Sequence, residues 1–289
     1  MFVENFKAKV NKKVSELVCE KYSVSYNEFM KILRNKDIKI NGRRISSDEV
    51  ASAGDEITFY HKNDFADKKI DIVFEDENVI VVFKPRKIEV QTENLDSEND
   101  LKTKLKEQIK SDVYAVHRLD KNTTGLVIFA KNEMAKNSLD RALKERTLEK
   151  HYLTLVVGQS KERENLTAFL KKDAEKSLVY ISDFPQKGYE KIETRYKKLE
   201  FNGNLSLLDV ELVTGKTHQI RAHLSHIGLP ILGDEKYGCS EINKNYKLKY
   251  QCLCAYKIKF NFGGEDYLSY LNGKIIELDK TKIDFLKLL

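Results

Sequence analysis

A chain of 289 residues, 41% hydrophobic and 10% aromatic, is long enough for one large domain or for a small domain plus a larger one, and it can bury a substantial core. Lys and Arg outnumber Asp and Glu by 51 to 45, and the formal charge of +6 favours a polyanionic partner without requiring one. No apolar run approaches the roughly 20 residues that cross a bilayer, MFVENFKAKVNKK lacks a secretion signal, and cysteines at 19, 239, 252 and 254 form neither a disulfide framework nor a C-x-x-C site, so the expectation is a soluble, cytoplasmic protein with no membrane partner.

Residues 1–60 read as a separate small module. Val10, Val14, Leu17 and Val18 stand at helical spacing, and Phe29, Ile32 and Leu33 repeat the pattern behind Ser25, a candidate cap. Ile38 and Ile40 then alternate before Asn41-Gly42, a tight-turn signal, and AGDEITFY predicts another turn and a short strand. From Lys31 to Arg44 the cations Lys31, Arg34, Lys36, Lys39, Arg43 and Arg44 are opposed by a single acid, Asp37. The stretch FMKILRNKDIKINGRRI followed by AGDEI resembles the S4 RNA-binding domain, in which a helix and the hairpin after it offer a basic surface to structured RNA. That resemblance covers about the first 60 residues and implies that the six cations are RNA contacts.

Residues 61–70, HKNDFADKKI, are polar and read as a linker to a larger domain over 71–289. DIVFEDENVIVVFKP predicts a hairpin, and residues 93–112, charged and punctuated by Leu101 and Leu105, predict a surface helix. A helix over 133–145 is expected behind Asn132, with Met134, Leu139, Ala142 and Leu143 on one face. Alternation predicts strands through Leu153, Leu155 and Val157; Ile192, Thr194 and Tyr196; Leu208, Val210 and Leu212; and Tyr256, Ile258 and Phe260. The expected class is α+β, with a large, mostly antiparallel mixed sheet flanked by helices rather than repeating βαβ units.

Three positions invite chemistry. AVHRLDKNTTGLVIFAKN sets Asp120 beside Arg118 at the mouth of an apolar strand. Tyr152, in LEKHYLTLVVG, is by itself more readily a half-buried strand tyrosine than a functional one. In LVTGKTHQIRAHLSHIGLPILGDEKYG, Thr217 is a candidate helix cap and Gly228 a stop, Ile220, Leu224 and Ile227 form an apolar stripe, and His218, Arg221 and Ser225 share a neighbouring face, so Arg221 is held on a rigid element where it can meet a carboxylate. His218, His223 and His226 also raise a metal-hydrolase reading, but no carboxylate or cysteine stands at a supporting spacing. No phosphate-cradling glycine motif is present, and no cofactor is expected.

HRLDKNTTGL resembles the H-R-L-D-x-x-T-S-G signature of the RluA family of pseudouridine synthases; EKHYLTLVVG is similar to its K-x-Y-x-A-x-V-x-G strand, and GKTHQIRAHLSHIGLPILGDEKYG to its later G-R-T-H-Q-I-R segment. With VVFKP these motifs span residues 72–260 in the family's order, and an S4 domain ahead of such a domain is known in the family. The departures are Lys87 for a Gly, Gln91 for a His, Lys216 for an Arg, Thr124 for a Ser and Cys254 for a His, none of them at the Asp, Tyr or Arg. The resemblance implies isomerisation of uridine in RNA, with the C1′–N1 bond broken and C1′ rejoined to C5. It implies Asp120 as catalytic aspartate, Tyr152 as active-site tyrosine stacked on the uracil, and Arg221 as the aspartate's basic partner. Arg118 would help fill the space left by a flipped-out base. The expected partner is structured RNA, with large-subunit ribosomal RNA preferred over transfer RNA, and a monomer is expected. Nucleophilic and glycal routes remain open, and a non-catalytic RNA-binding or ribosome-assembly protein on the same scaffold is the alternative of a different class.

Overall fold

In the computed structural model, which describes residues 2–22, 24, 26–61, 69–92 and 100–289, the chain starts with a strand that its sequence does not announce. This β1 (Phe2–Lys7) is followed by β2 (Lys12–Lys13), α1 (Val14–Tyr22), α2 (Tyr26–Arg34), β3 (Ile38–Ile40), β4 (Arg43–Arg44), β5 (Val50–Ala51) and β6 (Glu56–His61). The sheet order is β1-β6-β3-β4, antiparallel throughout, and β2 pairs with β5. Val14, Val18, Phe29, Leu33, Ile38, Ile57 and Phe59 pack as one core. Asn41 and Gly42 both adopt positive φ, 49° and 79°, the conformation that an Asn-Gly hairpin demands.

One expectation for this region is corrected. Val10 is 44% exposed and lies ahead of the helix, which begins only at Val14. The start of α1 is fixed from a distance: Asp48 accepts the Ser15 N–H at 2.9 Å and the Ser15 hydroxyl at 2.6 Å. Ser25, the candidate cap of α2, and most of the 61–70 segment lie outside the described residues.

Contacts divide the chain into two units, Met1–Lys69 with Glu93–Lys104, and Ile70–Thr92 with Leu105–Leu289. After the first unit's strands come β7 (Asp71–Glu75), β8 (Val79–Lys84), α3 (Leu101–Ile109), β9 (Tyr114–Ala115), β10 (Thr124–Ala130), α4 (Glu133–Glu145), β11 (Leu148–Val157), β12 (Arg163–Asp173), β13 (Leu178–Ser182), β14 (Glu190–Phe201), β15 (Leu205–Leu212), α5 (Gln219–His226), α6 (Ser240–Asn245), β16 (Leu253–Phe260) and β17 (Ile275–Glu277). The large sheet runs β13-β12-β14-β15-β11-β16-β10-β8-β7, with β9 on β10 and β17 on β16. Its pairings are antiparallel except β10 with β16, where Thr124 and Gly125 align with Cys254 and Ala255. Gly125 is required there: its φ is 118°, and a Cβ would lie 2.2 Å from the Ala255 carbonyl oxygen.

Helices flank this mixed sheet. Asn132 caps α4 by accepting the Ala135 N–H at 2.8 Å, and the buried face is Ala135, Ser138, Leu139 and Ala142. Met134, expected on that face, is 60% exposed, because helix rotation carries position 134 away from the sheet. α3 buries Leu101 and Leu105 and exposes Lys106 and Glu107, the pattern of a charged surface helix punctuated by leucines; residues 93–99 of that expected stretch lie outside the described residues. Among the described residues no helix is long and apolar enough to cross a membrane.

Candidate active site

A cavity of about 860 Å³ in the second unit is lined by Asp120, Tyr152 and Arg221 together, residues that enter from three elements far apart in sequence. Asp120 belongs to the turn that feeds β10, where the Thr123 N–H bonds the Asp120 carbonyl at 3.0 Å. Behind this turn Lys84, at the end of β8, is fully buried and donates from Nζ to the carbonyls of Pro85, Ile88 and Lys121, each at 2.9 Å. Burial pushes Lys84 down to about 7, against the pull of nearby Asp120. The three carbonyls match the three N–H bonds of an ammonium, so the lysine ties the 84–88 loop to the turn that carries Asp120. Lys87, where the family motif has a glycine, takes a left-handed conformation, with φ 68°, and its Nζ lies 5.6 Å from the Tyr250 ring centroid.

Arg221 sits on α5 and is nearly buried. Its Nη1 donates to Asp120 Oδ2 at 2.7 Å, while Nε and Nη2 donate to the two oxygens of Asp234 at 2.6 and 2.9 Å. Asp120 is therefore the outer end of a carboxylate–guanidinium–carboxylate chain, and its Oδ1 has no hydrogen bond among the described residues. Burial works against charge on Arg221, but Asp234 first and then Asp120 hold the guanidinium above its ordinary value. Burial also opposes ionisation of Asp234, yet the Arg221 bonds and charge and the N–H groups of Tyr237 and Lys236 bring it below the usual carboxylate range. Asp234 is not singled out by the sequence; its signal there is an acid a short loop beyond a helix that carries the arginine.

Two further side chains frame this chain of charges. The Arg221 guanidinium lies 5.3 Å from the Tyr237 ring centroid. The Tyr237 hydroxyl accepts the Val179 N–H at 2.9 Å and stands 2.9 Å from His218 Nδ1, so its own proton is available to that nitrogen. That tautomer turns the His218 Nε2–H toward Asp120 Oδ2, 3.9 Å away. Burial lowers the His218 pKa, with Asp120 opposing. His218 itself occupies the N-cap position of α5 with φ 54°, and Thr217 does not cap the helix. Instead Gln219 Oε1 accepts the Lys216 N–H at 3.1 Å and the Thr214 hydroxyl at 2.8 Å, fixing the turn from inside.

Tyr152 is 5% exposed on β11. Burial, and secondarily Asp120, push its phenol above the ordinary value, so the hydroxyl stays protonated at neutral pH. Arg118 is exposed and lines the cavity. The three helix histidines go to separate partners: His218 to Tyr237, His223 to Thr194 at 3.0 Å and His226 to Asp183 at 2.9 Å. Among the described residues no group of His, Cys, Asp or Glu is arranged to hold a metal ion.

In the first unit, Lys31 and Arg34 lie in the last turn of α2, Lys36 in the turn after it with φ 56°, and Lys39, Arg43 and Arg44 on the β3–β4 hairpin. The six cations thus follow one continuous helix-turn-hairpin path. Glu49 takes both terminal nitrogens of Arg43, at 2.5 and 3.3 Å, and Lys39 bonds the Tyr60 hydroxyl at 3.2 Å. Lys31, Arg34, Lys36 and Arg44 are exposed.

Residues 78–226 match the family described as RNA pseudouridylate synthase. The chain is 33% identical over 268 residues to an uncharacterized RNA pseudouridine synthase of Mycoplasma genitalium, covering 86% of this chain and 83% of that protein. It is 31% identical over 230 residues to the ribosomal large subunit pseudouridine synthase C of Rickettsia bellii, covering 72% and 76%. It is 28% identical over 238 residues to the mitochondrial tRNA pseudouridine(32) synthase of Saccharomyces cerevisiae, covering 80% of this chain and 52% of that protein. The solved structure of human RNA pseudouridylate synthase domain containing 1 matches with a TM-score of 0.57 at 21% identity, over 76% of this chain and 95% of that one, a likeness of fold.

Proposed function

The chain belongs to the RNA pseudouridylate synthase family and is an RNA pseudouridine synthase, and from that premise we propose that it converts specific uridines of large-subunit ribosomal RNA, with Asp120 as the residue that acts on a flipped-out nucleotide. The observation that carries this reading is the bond from Arg221 to Asp120 at the wall of a cavity shared with Tyr152. A base within stacked RNA hides C1′ and C5, so the nucleotide leaves the stack at a cost of a few kcal/mol. Arg118, exposed beside the cavity, helps fill the gap. Once the base covers the site and expels water, Arg221 keeps the Asp120 carboxylate charged and oriented, with Oδ1, unbonded among the described residues, free to attack C1′ or C6, or to remove a sugar proton on the glycal route.

Tyr152 stacks on the uracil and holds the detached base while it turns to present C5. Its raised phenol makes it a poor base, which ranks stacking above proton transfer. Tyr152→Phe tests the ranking: base capture retained with product lost would reassign the hydroxyl to proton transfer.

The first unit acts as an S4-like RNA-binding module through Lys31, Arg34, Lys36, Lys39, Arg43 and Arg44. The ribosomal reading is supported by the name of the Rickettsia relative and by this basic path. Transfer RNA is the second reading, favoured by the name of the yeast relative. Mapping pseudouridine in cellular RNA with and without this protein separates them. Incubating ribosomal RNA with the purified protein beside Asp120→Asn tests the catalytic assignment, which fails if the amide turns over at the wild-type rate.

A further inference from the structure

We propose that Lys150 is a phosphate anchor within the catalytic cavity, binding one of the two phosphates that flank the target uridine. The proposal deepens the synthase reading and rests on it. Lys150 precedes Tyr152 by two residues on β11, roughly 6–7 Å along the strand, and both side chains line the cavity. The lysine is mostly withdrawn from solvent, and its Nζ lies 3.6 Å from where a Cβ on Gly215 would stand, in the turn that leads to α5. Among the described residues it has neither a hydrogen bond nor an ion pair.

Of the acids on β11, on its paired strands and in the cavity wall, all but Glu89 are engaged, and Glu89 does not act on Lys150. Asp120 is held by Arg221, Glu149 by Lys259 and Asn261, Asp209 by His151, and Glu211 by Arg195. Burial alone lowers the Lys150 pKa, with no carboxylate acting on it, and its charge is felt instead by neutral His117. In the free protein this partly exposed ammonium faces the solvent that the cavity admits. RNA seated over the cavity removes that solvent, and an ammonium stripped of water without a counter-charge costs several kcal/mol. The uracil ring and ribose carry no formal charge before reaction, whereas each linkage carries one phosphate anion. The charge that Lys150 awaits is therefore on the backbone of the substrate. Lys150 acts as a binding and positioning group, distinct from the Asp120 and Arg221 pair.

The test uses the full chain and, after the modified uridine has been mapped, a synthetic RNA spanning it with either flanking phosphate replaced by a neutral methylphosphonate. Lys150→Gln is expected to raise the half-saturating RNA concentration by about 10–100-fold, the range of a charge-assisted hydrogen bond, to leave the rate at saturation near wild type, and to reduce the salt slope by about 0.7–0.9. Lys150→Arg, which keeps the charge, is expected to recover most of the affinity. Methylphosphonate at the anchored position should weaken wild type as Lys150→Gln does and add little to that variant; the 5′ and 3′ substitutions identify which phosphate is held. Additive losses at both positions, a lower saturated rate with an unchanged salt slope, or no change at all would each overturn the assignment. Failure of the underlying synthase reading is seen separately, as absence of pseudouridine with the wild-type protein at any RNA concentration.

Discussion

Asp234 grips Arg221 through two parallel bonds, Nε to Oδ2 at 2.6 Å and Nη2 to Oδ1 at 2.9 Å, and so turns the remaining nitrogen toward Asp120. Asp234→Asn keeps the shape of this clamp while removing its charge and one acceptor. It is expected to slow single-turnover conversion at saturating RNA by about 10–100-fold, as loss of a supporting partner does in other preorganised sites, with a smaller change in RNA affinity. Asp234→Ala should in addition destabilise the fold by about 3–5 kcal/mol in urea titration, because it leaves Nε and Nη2 of the buried guanidinium without an acceptor. A folded Asp234→Asn with full rate would leave Asp234 a purely structural residue.

Gly125 tests the scaffold rather than the chemistry. Its backbone crosses Ala255 where β10 and β16 run parallel, and a Cβ would meet the Ala255 carbonyl oxygen at 2.2 Å, in a left-handed conformation that further disfavours a side chain. Gly125→Ala is expected to lower stability by about 3 kcal/mol or more. Gly215→Ala is the control: its nearest neighbour, Lys150 Nζ, would be 3.6 Å away, an ordinary contact, and its φ is unstrained. Equal melting temperatures for the two variants would contradict the close crossing.

How much of this could be read from the sequence depends on the range of the interaction that decides each feature. The turn at Asn41-Gly42 and the cap at Asn132 are local, and both were legible. Asp120, Tyr152 and Arg221 stood out because each lies in a dense motif, although their shared cavity is a property of the sheet order. Asp234 was hidden because its role exists only once a loop folds it back beneath Arg221. The start of α1 was misplaced at Val10 because Asp48, the residue that fixes it, is 33 positions away. β1 was missed because its inward row includes Glu4, which breaks the apolar alternation and stands 3.8 Å from His61 on the paired strand. Lys87 shows the opposite case: a lysine stands where the family motif has glycine, at a positive φ that glycine adopts more readily.

Acid should unfold the protein through two neutral imidazoles. Burial pushes His117 down to about 3, aided by Lys150, and His223 to about 4, aided by His226. The His117 Nε2 accepts the Ile128 N–H at 3.0 Å, a bond that ring protonation would remove. In the unfolded chain both rings titrate near 6.5, so below that pH the unfolded state binds more protons. Their stabilisation is complete above 6.5 and is lost as pH falls toward 4 and then 3, by up to about 1.4 kcal/mol per pH unit for each ring. Urea midpoints measured from about pH 7.5 down to 4.5 should decline accordingly, and His223→Gln should flatten the decline by about one proton. An unchanged slope would place the acid sensitivity elsewhere.

Arg43 and Arg44 are neighbours with different surroundings, which separates their expected contributions to RNA binding. Both are exposed, but Arg43 is paired with Glu49, whereas Arg44 has no ion pair among the described residues. Arg44→Gln should therefore weaken binding to structured RNA more than Arg43→Gln does, and should reduce the salt slope by about 0.9 if it removes one phosphate contact. Both variants are expected to retain the rate of conversion at saturation. The reverse order of affinities, measured across a salt series, would move the RNA path off this hairpin.

The strand order has a consequence for how the enzyme comes into being. β16 lies between β10, which follows Asp120, and β11, which bears Tyr152, and it comes after both in the chain. During N-to-C synthesis the sheet therefore stays open between those two strands until residues 253–260 have left the exit tunnel. The pairing that sets Asp120 and Tyr152 in one sheet is thus a late event for a nascent chain, delivered by a strand that carries neither of them.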